Sequence, residues 1–273
     1  MSEELDMSEE LDREREFHDQ WALSVDPATV DVYGAWTPLA TPETHWIFSK
    51  LGNLRGKKLL DLGCGLGEGS VFFALKGALV TASDLSPEMC KTTQAVAHLN
   101  GAEVSTLVAS ATDLSAIPDN SFDVVYGANM LHHVDIATCT AEVHRVLKPG
   151  GKAVFWDPVQ YNPVINIYRR MAAGVRTEDE HPLRLADIRG IKKLFGDLET
   201  RFFWLTATVI FLRFYFIDKI GPSEGRYWKL IIERREKHSR LLLITHSIDR
   251  FILRFFPPLK WWCWNVAIVA TKN

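Results

Sequence analysis

The sequence predicts an α/β fold: a doubly wound, mostly parallel sheet of seven strands, with a helical lid before it and a helical insertion ahead of the last strand. Three observations carry that prediction. Between residues 57 and 157, short apolar strand patterns alternate with helical ones, the arrangement that winds a parallel sheet with helices on both faces. The first strand pattern ends on an acid and turns into a glycine-rich loop that opens a helix, LLDLGCGLGEGSV (59–71). A last apolar run, WNVAIVATK (264–272), reads as a strand and leaves 208–260 as an insertion before it.

The elements follow in order. MSEELD occurs twice in tandem (1–6 and 7–12), and the first twenty residues hold nine acids against two arginines. Residues 1–16 therefore read as an acidic tail, disordered or helical. A basic segment followed by an apolar one is missing there, which argues against a secretory signal. Residues 17–56 form the lid, with FHDQWA (17–22) and PETHWIFSKL (42–51); Thr41 is the N-cap of the second and Pro42 fits its first turn. KKLLDLG is the first strand, and SVFFALKGA a helix that stops near Gly77. LVTASDL is the second strand; SPEMCKTTQAVAHLNG runs from a Ser-Pro helix start to an Asn100-Gly101 stop. EVSTLVAS is the third strand, and SFDVVYGAN the fourth, apolar enough to be buried on both faces. CTAEVHRVLKPGG is a helix ended by Pro149-Gly150-Gly151, and KAVFWD is the fifth strand. Residues 158–190 read as a Pro-containing, Arg-rich connection. DLETRFFWLTATV holds a sixth strand, and 208–256 two or three helices. The core thus spans 57–207 and is completed by the final strand within 261–273.

Composition is that of a globular chain with a sizeable core, 47% hydrophobic and 24% charged. A net charge of -3 makes no global case for nucleic acid. The charge is uneven: residues 202–273 hold twelve Lys and Arg against five Asp and Glu. Cys64, Cys90, Cys139 and Cys263 form no C-x-x-C pair, so neither a disulfide framework nor a metal site is expected, and the cytoplasm is the default compartment.

A glycine turn from strand into helix lets a ligand lie against bare backbone. The dinucleotide pattern G-x-G-x-x-G fails in both frames, on Glu68 and on Ser70, and the phosphate loop fails for lack of G-K-[ST]. What remains is strand, D-x-G-x-G-x-G, helix. Residues 59–69 resemble motif I of the class I S-adenosylmethionine-dependent methyltransferases. Asp84, 17 residues after Gly67, stands where that family places an acid on the ribose; IPDNSFDVVYGANMLHHV (117–134) and RVLKPGG (145–151) are similar to its later segments. The resemblance covers roughly 45–160 and implies a Rossmann-like fold with S-adenosylmethionine as cofactor. It implies that Asp61 faces the ammonium end of that molecule, that Gly63, Cys64, Gly65 and Gly67 let it approach, that Asp84 accepts both ribose hydroxyls, and that Leu85 packs on the adenine. The alternative for Asp84 is a surface carboxylate capping the Ser86-Pro87 helix. Where the family often has Gly-Asp-Ala, this chain has ASATDLS; Ser110, Ala111 and Thr112 are expected at the adenine, with Asp113 as the alternative. Asn129 closes the set.

Methyl transfer is a displacement at a carbon activated by positive sulfur, so the protein has only to align the acceptor and remove its proton. The acceptor is expected at the C-terminal ends of strands four and five. His133 or His132 is the candidate base, with Asp157 orienting the acceptor or acting as base. The plainer readings are packing or capping histidines and a turn residue before Pro158. His18, Trp21 and Tyr161 are candidate acceptor contacts; Phe17 and Trp21, four apart, also pack a helix onto the domain.

RFFWLTATVIFLRFYFIDKI (201–220) is very apolar, but its uncharged run from Phe202 to Leu212 is eleven residues, against the ~20 that a span needs. RLLLITHSIDRFILRFFPPLKWWCWN (240–265) has apolar residues at near-helical spacing with arginines between and tryptophans after. It reads as a cap over the sheet, as the wall of a greasy acceptor pocket, or as a helix docking on a membrane surface through residues 202–264. The resulting expectation is a methyltransferase acting on a small-molecule or lipid-like acceptor, at oxygen first and carbon second, in the cytoplasm or at the inner face of a membrane, with no nucleic-acid partner. The alternatives are a noncatalytic S-adenosylmethionine-binding module that docks a membrane or partner, and, less favoured by Glu68 and Ser70, an NAD-dependent oxidoreductase.

Overall fold

The computed structural model describes residues 2–172, 180–224 and 226–273. One seven-stranded sheet organises them: β1 (Lys58–Leu62), β2 (Leu79–Asp84), β3 (Val104–Val108), β4 (Phe122–Ala128), β5 (Leu147–Pro158), β6 (Gly196–Phe203) and β7 (Asn265–Lys272), in the order β3-β2-β1-β4-β5-β7-β6. The first five strands pair in parallel; β7 inserts antiparallel between β5 and β6. The order reverses direction at β1, between β2 and β4, and ligands of such sheets bind outside the strand ends at that point.

Alternation along the strands sends side chains to two cores. Leu59, Val124 and Val154 face the layer of α2 (Pro42–Leu51), α3 (Glu68–Leu75) and α4 (Pro87–Leu99). Leu60, Val125, Ala153 and Phe155 face the layer of α5 (Ile136–Val146) and α7 (Leu185–Phe195). The period of two along each strand makes one sheet serve both layers. Ser86 caps α4 by accepting the Met89 N–H at 3.0 Å, as its sequence start predicts. Thr41 stands at the N-cap of α2, but its side chain makes no capping bond; the Thr41 hydroxyl donates instead to the Thr37 carbonyl.

Three expectations change. One helix, α1 (Ser2–Leu23), runs through both tandem copies and into FHDQWA without a break between tail and lid. Glu, Leu and Arg at high density favour a helix once its far end has a surface to rest on. The helix α5 ends at Val146, and Leu147 to Gly151 already belong to β5, with a register shift opposite Phe122 and Val124. The glycines mark an irregularity at the strand's entry, not the helix stop. The 158–190 connection contains α6 (Pro163–Met171) and the start of α7; its residues 173–179 lie outside the described ones. Between β6 and β7 come α8 (Val209–Phe216), α9 (Tyr227–Glu233) and α10 (Ser239–Phe255), which bury Phe211, Phe214, Tyr227 and Leu242 on the α2 side of the sheet.

Candidate functional site

The C-terminal edge of the sheet opens into a cavity of about 1590 Å³, above the few hundred to 1,000 Å³ of an ordinary small-ligand site. That leaves room for two molecules side by side. Its floor is the glycine loop. Gly63 and Gly65 both have positive φ (69° and 53°), and a Cβ on Gly65 would meet no protein atom within 4 Å. Gly67 also has positive φ, but a Cβ there would strike Thr93 of α4 at 2.8–2.9 Å. Gly67 therefore serves close packing of the loop on α4 and does not line the cavity.

Asp61, at the end of β1, is buried and accepts the Ser70 hydroxyl at 2.6 Å. Burial, and then the charges of Asp84 and Glu68, push its carboxyl up to about 7 against that hydrogen bond. Asp84, at the end of β2, accepts the Gly65 N–H on one oxygen and the Ser86 N–H on the other, both at 2.9 Å. Burial raises it as well, against those two bonds. Each oxygen keeps a second lone pair, and the carboxyl lines the cavity. Glu68, unassigned by the sequence reading, is a third lining carboxyl raised by burial. Asp61 and Asp84 are buried and Glu68 half-buried, and all three carboxyls are raised chiefly by loss of water around them.

Leu85, Cys64, Ser110, Ala111, Thr112 and Asn129 line the same cavity. Ser110 and Thr112 join hydroxyls at 2.8 Å, which orders the loop after β3. Asn129 takes φ 56°, unusual for a residue with a side chain, held by its N–H bond to the Trp156 carbonyl at 2.8 Å.

His132 and His133 also line the cavity, with ring centres 4.2 Å apart. Their partners differ. His132 Nδ1 lies 2.7 Å from Asp157 Oδ1, with both side chains buried. Burial pushes the Asp157 carboxyl up, against N–H bonds from His132 and Leu131. Asp157 stands behind His132 and does not line the cavity itself. His133 Nδ1 instead meets Glu14 of α1 at 2.9 Å, and Glu14 also meets His18 Nε2 at 2.9 Å. Burial raises the Glu14 carboxyl, but the bonds and charges of the two histidines overcome it and hold it well below the usual carboxylate range. His132, His133 and Glu180 also bring one ligand-type atom each within 4.8 Å of one another, a grouping the sequence reading did not foresee.

The roof is α1. His18 and Trp21 line the cavity from above, and α9 grips the same helix: the Arg226 guanidinium lies 3.6 Å and the Lys229 ammonium 4.7 Å from the Trp21 ring centre. Tyr161 does not join them. It is 40% exposed, its hydroxyl accepts the Leu185 N–H at 3.2 Å, and its ring packs on Trp261. A turn after β5 carries it out of the site.

No local pattern in the sequence marks the far wall, which is built from Trp36, Glu43, Tyr126, Trp156, Trp204 and Asn265. Trp204 and Asn265 reach Glu43 across 161 and 222 residues of chain, a proximity no local pattern records. The abundance of tryptophan, nine in all, was the available signal.

Residues 60–155 match a family model described as a methyltransferase domain. The chain is 36% identical over 130 residues to a ubiquinone biosynthesis O-methyltransferase of Pseudomonas syringae pv. tomato, covering 47% of this chain and 55% of that protein. It is 45% identical over 105 residues to the same-named protein of Xanthomonas oryzae pv. oryzae, covering 37% and 42%. The chain thus spans about half the length of these curated relatives. Among solved structures it resembles the geranyl diphosphate C-methyltransferase of Streptomyces coelicolor, with a TM-score of 0.56 at 16% identity over 85% of this chain and 79% of that one. That likeness is one of fold.

Proposed function

We propose that this chain, whose residues 60–155 match a methyltransferase domain, is a class I S-adenosylmethionine-dependent methyltransferase that moves a methyl group to a small-molecule or lipid-like acceptor, at oxygen first and carbon second. One observation carries the reading. The glycine loop, Asp61 and Asp84 share a single cavity with His132, whose ring Asp157 holds from behind, and that cavity has room for a second molecule. The relatives named for O-methylation in ubiquinone biosynthesis favour oxygen and a quinone-like ring.

The residues fit the cofactor. A carboxylate at Asp84 offers two acceptors side by side for a vicinal diol, and bare backbone at Gly65 admits close approach. Asp61 and Glu68 supply negative potential for a cation. When bound, S-adenosylmethionine supplies a methyl carbon activated by positively charged sulfur. His132 does the proton work: with Nδ1–H donated to Asp157, Nε2 is the atom that takes the acceptor's hydroxyl proton, and the imidazolium so formed is stabilised by the carboxylate behind it. Glu14, through His133 and His18, holds α1 over the site and keeps water out.

The test is calorimetric titration with S-adenosylhomocysteine beside NADH, followed by a methyl-transfer assay on hydroxylated acceptors. Micromolar binding of the first ligand alone is expected; tight NADH binding would overturn the reading. Proton linkage gives a second check. Asp61 is held near 7 in the folded protein, so part of it is protonated at neutral pH. A cation bound beside it favours the carboxylate. S-adenosylmethionine binding at pH 7 is therefore expected to release protons, read as a binding heat that varies with the ionisation enthalpy of the buffer.

We also propose that the insertion docks on an anionic membrane surface. None of the helices is long and apolar enough to cross a membrane, among the described residues. Yet α10 turns apolar side chains outward: Leu243, Ile244, Ile248, Phe251 and Phe255 are exposed, while Thr245 and Asp249 face inward. Phe216, Ile217 and Trp262, also between β6 and β7, are exposed as well. From 237 to 262 the one acid, Asp249, is buried on Thr206, so the exposed charge is all from Lys and Arg. An apolar face with a basic rim suits a bilayer interface. Phe251→Ser with Phe255→Ser is expected to abolish flotation with anionic liposomes, since burying each ring contributes about 1.5–3 kcal/mol. Absence of flotation by the unmodified protein would end the surface reading.

A further inference from the structure

The far wall holds a polar centre that methyl-donor binding does not use. Glu43, in the first turn of α2, is 3% exposed and accepts Trp204 Nε1–H at 3.0 Å and Asn265 Nδ2–H at 3.1 Å. Asn265, the first residue of β7, is 1% exposed, and its Oδ1 has no partner. Both line the cavity, together with the rings of Trp36, Tyr126, Trp156, Trp204 and Trp264. These rings form two connected groups: Trp204 lies 5.8 Å from Trp264, Trp36 lies 5.7 Å from Tyr126, and Trp156 Nε1 donates to the Tyr126 hydroxyl at 3.3 Å.

A clasp tying α2 to β7 would need no charge: a glutamine could accept from Trp204 and donate to the oxygen of a reversed Asn265 amide. A carboxyl here is costly, because burial pushes it up to about 7 and only hydrogen bonds oppose that. An amide oxygen left without a donor beside it adds a further cost. Two acceptors side by side, walled by aromatic faces, suit a cationic hydrogen-bond donor: the charge satisfies the carboxylate, the N–H groups satisfy both oxygens, and the ring faces stabilise the ion.

We propose that Glu43 and Asn265 form an acceptor subsite for an ammonium group, so that the methyl acceptor carries a protonated amine as its recognition handle. The proposal rests on the methyl-transfer reading and narrows its substrate class. The ammonium nitrogen has no lone pair while protonated and cannot itself take the methyl. The accepting oxygen sits elsewhere on the same molecule, within reach of His132.

The probe pair is tyramine and 4-propylphenol, which differ by an ammonium in place of a methyl group. Binding is read by tryptophan fluorescence on the full chain with S-adenosylhomocysteine present. The unmodified protein is expected to prefer tyramine by about tenfold or more. Glu43→Gln keeps the clasp once the Asn265 amide turns over, its oxygen then accepting the new NH2, and should bring the two ligands to near-equal affinity, with S-adenosylhomocysteine binding unchanged. A protein that binds S-adenosylhomocysteine and shows no tyramine preference overturns the proposal. So does a preference that survives in Glu43→Gln. Loss of S-adenosylhomocysteine affinity in that variant would assign Glu43 to the donor's own ammonium and overturn it too. If Glu43→Gln fails to fold by circular dichroism, Asn265→Ala takes its place and is expected to reduce the preference several-fold. A protein that binds no S-adenosylhomocysteine fails the methyl-transfer reading first, and the two failures stay distinct.

Discussion

His132→Ala is expected to lower kcat by about 10²–10⁴-fold, the usual contribution of a positioned general base, while leaving S-adenosylhomocysteine affinity near its original value. His132 lines the cavity and its ring is aimed by a buried carboxylate at 2.7 Å, whereas none of the cofactor-type contacts around Asp61 and Asp84 passes through it. Asp157→Asn should repeat much of the loss with the imidazole still present, because an amide NH2 facing Nδ1 selects the tautomer with its proton on Nε2. His133→Ala separates the two histidines. Its partner is Glu14 of the lid, so its loss should act on ligand release and on KM more than on kcat. The measurement is initial rate of S-adenosylhomocysteine formation with a hydroxylated acceptor. An His132→Ala enzyme within threefold of the original kcat would remove the base from the mechanism.

Asp84→Ala is expected to weaken S-adenosylhomocysteine binding by about 1.5–3 kcal/mol, the worth of hydrogen bonds to a charged group, or roughly 10- to 150-fold. The carboxylate already orders the Gly65 and Ser86 N–H groups, so its removal leaves two backbone donors without their acceptor and loosens the turn that receives the ligand. Asp84→Asn is no rescue, since the amide NH2 faces one of those donors. Calorimetry with a thermal-melt control distinguishes site loss from unfolding. Unchanged affinity in a folded variant would leave Asp84 as a brace between the Gly65 and Ser86 N–H groups alone.

The linear pattern was enough for the core because its signals are local. A strand that stops on Asp61, glycines at alternate positions and Asp84 at the end of the next strand lie within 26 residues, and the backbone geometry of strand, turn and helix places them together without help from the rest of the chain. Tyr161 fails for the opposite reason. Its distance from Asp157 along the chain is short, but the backbone turns after β5 and sends the ring outward to Trp261. The choice between His132 and His133 is also beyond local reading: adjacent residues in one short turn point to different partners, one to Asp157 in the core and one to Glu14 on the lid.

The sequence by itself determined the seven-stranded, mostly parallel α/β class, the glycine loop and the acids at the ends of β1 and β2, since periodicity and turn chemistry act over a few residues. Only the tertiary structure decided the wall opposite. Glu43, Trp204 and Asn265 come from α2, the end of β6 and the start of β7, and they meet because β7 runs antiparallel between β5 and β6 while α2 packs across those strands. Tertiary packing likewise decided which side of α10 faces out. Its spacing alone fits a buried cap as well as an exposed stripe, and the outward turn of Phe251 and Phe255 follows from Asp249 bonding inward to the Leu205 and Thr206 N–H groups.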